Sequence, residues 1–177
     1  MSDPQTLKIS FERVKKLLTI KPEKGEYTTT TNVRVRDGTT CDVEHKQWTF
    51  TADVGEMEGG NDAGPGPSVL QRGALGSCLA IGYAKWAAWL DVPIAHIEVD
   101  VEADVDARGA YGLDDIEPGY RGLKYKVTIH SPASEQEIMK VIEQADNHSP
   151  LLADFVKPVK VEREVNFVKK EKVKVKN

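Results

Sequence analysis

The chain has 177 residues, 40% of them hydrophobic, with 24 Lys and Arg against 28 Asp and Glu for a net charge of −4, and two cysteines. That length suits one domain with a substantial core rather than two, and two cysteines exclude a disulfide-stapled scaffold. The longest apolar run, Cys78 to Val92, is broken by Gly82, Lys85 and Asp91 and falls short of the roughly 20 residues of a membrane span.

Asp3 and Pro4 open the chain as an N-cap and first helical residue, and Leu7, Phe11, Val14, Leu17 and Leu18 recur at helical spacing up to Lys21-Pro22. The first ten residues are polar and mixed, without the basic-then-apolar pattern of a secretory leader, so a cytoplasmic protein with free thiols and no membrane partner is expected. Three runs rich in Thr, Val and aromatics follow, "EYTTTTNVRV", "TTCDVEHK" and "WTFTADV", the first two separated by Asp37-Gly38; they predict a small antiparallel meander. Gly55 to Ser68 is dense in Gly, Pro and Asn and reads as a loop, with Pro67 starting a helix that runs to about Trp89 or Leu90.

Ile94 to Asp106 alternates, with Ile97, Val99, Val101, Ala103 and Val105 on one face, and Arg121 to Ser131 alternates likewise, so the two predict an antiparallel pair. A capped helix starts at Ser134 with Glu137 as the capping-box partner and Ile138, Val141, Ile142 and Ala145 as its inner stripe. Ser149 then caps a short helix with Pro150 at its first position, and a closing strand is expected over Val159 to Phe167. Without βαβα alternation the class is α+β. The domain division is a helix at 1–22, a core domain at 23–168 and a basic tail at 169–177.

From Lys157 to Asn177 eight basic residues stand against three acidic ones, a net +5 that leaves −9 in the remainder. The alternation of "VKVEREVNFV" is that of a strand with one wet face, so nucleic acid is not the expected partner. Asp104, Asp106, Gly109 and Asp115 imitate the spacing of a calcium loop, but Arg108 takes a ligand position and a strand precedes it; neither metal nor cofactor is expected.

"RGALGSCLAIGYAKWAAW", Arg72 to Trp89, holds Gly73, Gly76 and Gly82 around Cys78. Each glycine inside a helix costs about 0.5–1 kcal/mol against alanine, so close backbone approach or open space must compensate. Gly82 lies one turn along the face of Cys78 and would open a slot there, while Gly73 and Gly76 would let helices approach. The helix is apolar nearly all round, with Tyr83, Trp86 and Trp89 expected in a dimer core, so a second subunit is the natural cover.

"GGNDAGPGPSVLQRGALGSCLAIGYA", together with the order of elements from about Tyr27 to Phe167, resembles the family of osmotically inducible protein C and the organic hydroperoxide resistance proteins, OsmC/Ohr. The resemblance implies two antiparallel sheets around long central helices and an intertwined homodimer with its sites at the subunit interface. It places Cys78 on the family's peroxide-attacking cysteine, and Arg36, with Arg34 as the alternative, on the arginine beside the thiolate. Two parts differ: the family's glutamate ten residues before the cysteine is Ser68 here, and its resolving cysteine is Ser149, beside His148.

The implied activity is reduction of organic hydroperoxides by a single reactive cysteine in oxidative-stress defence. An ordinary thiol, with a pKa of about 8.5, is mostly protonated at neutral pH, and only the thiolate attacks, so a neighbouring guanidinium has a chemical purpose. Ser68, Gln71, Gly82, His148 and Ser149 are the expected substrate-binding residues, with Gln71 standing in for the absent glutamate. An external thiol reductant is expected, since Cys41 could resolve Cys78 only with the Cα atoms within about 7 Å. The competing reading is a non-catalytic protein of the same fold that binds a small molecule or electrophile.

Overall fold

The computed structural model of the protein describes residues 3–169. Helix α1 covers Pro4–Ile20, with Pro4 at its first turn as expected; Asp3 accepts a hydrogen bond from the Thr6 hydroxyl at 3.5 Å instead of capping a backbone N–H. Strands β1 (Asn32–Asp37), β2 (Thr40–His45) and β3 (Trp48–Ala52) form an antiparallel sheet in that order, turned at Gly38 with φ +54°. The register sets Val33 and Val35 on one face with Cys41, Val43, Phe50 and Ala52.

Helix α2, Pro67–Trp89, is the spine of the molecule. Leu75, Leu79 and Tyr83 are fully buried along one stripe, where Val141 and Ala145 meet them. Burying each of the larger apolar side chains contributes about 1.5–3 kcal/mol. Strands β4 (His96–Val105) and β5 (Tyr120–His130) make a two-stranded antiparallel sheet whose inner residues Ile97, Val99, Val101, Leu123, Tyr125 and Val127 pack on the same cluster. A register shift between Asp104 and Val105 leaves Arg121 of β5 unpaired, and Val105, expected on the inner face, is 56% exposed at the end of the ladder. The intervening loop holds a one-turn helix, α3 (Ala107–Ala110), where Asp106 accepts bonds from the backbone and guanidinium of Arg108.

Helix α4 spans Glu135–Asn147 and begins in the expected capping box, Ser134 and Glu137 bonding each other's backbone N–H. Helix α5, Pro150–Val156, begins at Ser149, whose Oγ accepts the Leu152 N–H. The closing strand expected over Val159 to Phe167 is not formed: that segment pairs with no strand, and Val159, Val161, Val165 and Phe167 are exposed. Alternation describes the faces a strand would have, but a ladder also needs a partner strand, and none of the described strands pairs with this segment. Most of the tail assigned to 169–177 lies outside the described residues.

Helix α1 covers part of α2. Phe11 of α1 packs at 5.3 Å from both Trp86 and Trp89, Lys15 lies 4.6 Å over the Trp89 ring, and Lys8 pairs with Asp91. Within the chain the two tryptophans therefore face α1, and Tyr83 lies in the internal cluster. One face of α2 stays open, at Gly73, Ser77 and Ile81. No described helix is long and apolar enough to cross a membrane.

Candidate active site

Cys78 sits mid-helix on α2, half-buried, at the edge of the stripe that carries Leu75 and Leu79. Its Sγ lies 3.5 Å from the Oγ of Ser149, which is 93% buried at the α4–α5 junction. The structure thus brings together the attacking residue read from the sequence and the residue at the expected place of the second cysteine. Cys78 and Cys41 are both free thiols.

The junction is held from three sides. The hydroxyls of Tyr83 on α2 and Tyr125 on β5 donate to the two carboxylate oxygens of Asp146, at 2.7 and 2.9 Å. Burial first, and then the Asp146 carboxylate, push both phenols upward, Tyr125 to about 12, so both remain protonated donors. His148 is exposed at its edge but lies 4.9 Å from the Trp86 ring, and its Nδ1 bonds the Gln144 carbonyl oxygen at 2.7 Å. Asp146 escapes a reading by sequence pattern because it sits in a helix end that caps already explain; the available signal is Tyr125, a hydroxyl on an inward strand face that needs a buried partner.

The glycines act differently from expectation. A Cβ at Gly82 would lie 3.5 Å from the methyl of Ala145, so α4, not a slot, occupies the space expected to be open. Gly76 faces Val101 and the Val99 carbonyl of β4 rather than a helix, and Gly73 faces open space. In the loop before α2, Gly60 and Gly64 have no alternative, since a Cβ would fall 2.0 Å from the Val54 carbonyl oxygen and 2.4 Å from that of Thr51. They let the loop before α2 press onto β3.

Asp53, 2% exposed, fastens that loop: it accepts the Thr39 and Thr40 hydroxyls and the backbone N–H groups of Val54, Asn61 and Ala63. The Thr39 hydroxyl leads in holding its carboxyl well below the usual range, against the opposing effect of burial.

The remaining candidates stand apart from Cys78 within one chain. Arg36, on the exposed strand β1, gives its Nε to both oxygens of Asp42 at 3.1 Å. Arg34 lies two residues earlier on the same exposed strand, and the meander makes little contact with α2. Ser68 and Gln71 are exposed in the first turns of α2, the Ser68 carbonyl accepting the Tyr120 hydroxyl at 2.9 Å. The Cys41 thiol points to the Thr39 carbonyl at 3.5 Å. Among the described residues no group of three or more His, Cys, Asp and Glu could hold a metal ion.

No curated protein matches the sequence. The fold is shared with solved structures: an OsmC-like protein from Mycoplasma pneumoniae, 18% identical, covering 75% of this chain and 90% of its own, TM-score 0.64. An organic hydroperoxide resistance protein OsmC from Legionella pneumophila is 15% identical, covering 73% and 91%, TM-score 0.53. An OsmC-like hydroperoxide resistance protein from Jannaschia sp. is 16% identical, covering 77% and 91%, TM-score 0.51. The family model for OsmC-like proteins matches residues 59–164, from the glycine-rich loop through Cys78 and Ser149 into the segment after α5, and the chain therefore belongs to the OsmC-like protein family.

Proposed function

We propose that the protein is a thiol-dependent peroxidase that reduces organic hydroperoxides through Cys78 in the cytoplasm. The observation that carries this reading is a half-buried cysteine with a buried hydroxyl 3.5 Å from its sulfur, on the central helix of an OsmC-like chain. The Cys78 thiolate attacks the O–O bond of the hydroperoxide; the alkoxide leaves, takes a proton and departs as the alcohol, and Cys78 becomes a sulfenic acid. An external thiol condenses with that acid, releasing water and forming a mixed disulfide, and a second thiol restores Cys78 as the external pair leaves as a disulfide.

The working unit is a homodimer in which Arg36 of the partner subunit, or its neighbour Arg34, lies beside Cys78 and stabilises the thiolate. Several open features support this arrangement: the exposed apolar face of the meander, the free face of α2 and the unpaired alternating segment after α5. Ser68, Gln71 and His148 would line the substrate's approach, and α1 is an addition to a core domain over 23–168. Ser149 in place of a resolving cysteine favours a second reading, a non-catalytic protein of this fold that binds a small electrophile or apolar ligand.

One equivalent of cumene hydroperoxide, followed by thiol counting, separates the two. The peroxidase loses the Cys78 thiol within seconds, Cys78→Ser does not react at that rate, and Arg36→Ala reacts several-fold more slowly at neutral pH. Loss over many minutes in the unaltered protein would favour the binder.

A further inference from the structure

Ser149 occupies two hydrogen bonds at once, and their geometry fixes which way its hydroxyl points. As the N-cap of α5 its Oγ accepts the Leu152 N–H at 3.3 Å, so a lone pair is committed and the hydroxyl hydrogen must be given elsewhere. At 93% buried, the group has little water to donate to. Among the described residues, the one other partner of its Oγ is the Cys78 sulfur at 3.5 Å. With the sulfur as donor, Oγ would receive two hydrogens while its own was left without an acceptor in a buried site, which costs a desolvation penalty that the opposite direction avoids.

We infer that Ser149 donates its hydroxyl hydrogen to the Cys78 sulfur and stabilises the thiolate, and that Asp146, gripped by Tyr83 and Tyr125, is the positioning residue that holds Ser149 there. Asp146 lies three residues before Ser149, and its backbone carbonyl accepts the Ser149 N–H at 3.2 Å. Its carboxylate ties the same turn to α2 through Tyr83 and to β5 through Tyr125. Ala145, beside it, meets Gly82 of α2 closely, which leaves the junction little freedom to slide along the helix that carries Cys78. Near this junction the titratable groups are Tyr83 and Lys85 on α2, Tyr125 on β5, Asp146 on α4 with the exposed His148 at its cap, and the exposed Asp154 on α5; the other charged side chains of these elements lie further along them.

This role deepens the proposed activity, since it makes Ser149 part of the attacking group's environment rather than a substrate contact. Its test uses iodoacetamide instead of peroxide, so failure here is distinguishable from failure of the peroxidase reading. Alkylation of Cys78 is followed by peptide mass spectrometry across pH, which keeps Cys41 separate. A hydrogen bond to a charged group shifts ionisation enough that Ser149→Ala should slow alkylation about fivefold at pH 7, allowing for the higher intrinsic nucleophilicity of a more basic thiolate. At about pH 10, where the thiol ionises in either protein, the variant should match or slightly exceed the unaltered chain.

Ser149→Thr should restore most of the rate at pH 7. Asp146→Ala should show a smaller loss with the same pH signature and add nothing to Ser149→Ala in the double variant. Should Ser149→Ala fail to fold, Ser149→Gly, which an N-cap tolerates, gives the same reading. An unchanged rate at pH 7, an equal slowing at every pH, or losses that add in full between positions 146 and 149 would each overturn the inference.

Discussion

The helical half of the molecule and the meander half finish their cores to different degrees. Around α2 the cluster of Leu75, Leu79, Tyr83, Val141 and Ala145 is closed, with every member 2% exposed or less. Among the apolar residues of the meander only Val43 and Ala52 are buried, at 8% and 7% exposed, while Val33, Val35 and Phe50 on the same face are 57%, 65% and 47% exposed. The first half can be stable within one chain, whereas the second leaves apolar surface where a complete small sheet would have a partner layer. The division also separates Cys78 from Arg36, which is why the proposed function takes its arginine from a second copy.

The largest break in this comparison should come from the closed half. Leu79→Ala removes a fully buried side chain and should cost about 3 kcal/mol, or roughly 6–12 °C in Tm for a chain of this size, read by calorimetry. Asp53→Asn attacks the seam between the halves and should lower Tm by several degrees near neutrality. Because folding depresses the Asp53 carboxyl below its ordinary value, its stabilising contribution is present above about pH 4 and fades as pH falls through the native value. The Tm gap between the unaltered protein and Asp53→Asn should therefore narrow on acidification; a gap constant down to pH 2 would show that ionisation is not what the loop depends on. Smallest is Val35→Ala, which should barely change folding of an isolated chain but weaken a dimer that covers this face by about tenfold, read by sedimentation against concentration.

Periodic elements were legible because a period is a local property. Pro67 started its helix, Ser134 and Glu137 built their box, and β4 and β5 paired with the apolar residues inward until the shift at Asp104. Failures came where a partner decides the outcome. Nothing local distinguishes a strand from an unpaired segment at 159–167, nor reveals that Phe11 of α1 would pack on Trp86 and Trp89. The cysteine's surroundings were half legible: capping chemistry marked Ser149, but its approach to Cys78 depends on how α4 crosses α2, and Asp146 became visible only once Tyr83 and Tyr125 converged on it.

The three tryptophans divide between the two halves, Trp48 standing 66% exposed on the meander and Trp86 and Trp89 packed under Phe11. Indole emission can consequently be assigned by region. Trp48→Phe would leave a signal from the spine and its N-terminal brace alone, and the difference spectrum would watch the outer sheet, turning blue whenever something apolar settles on it.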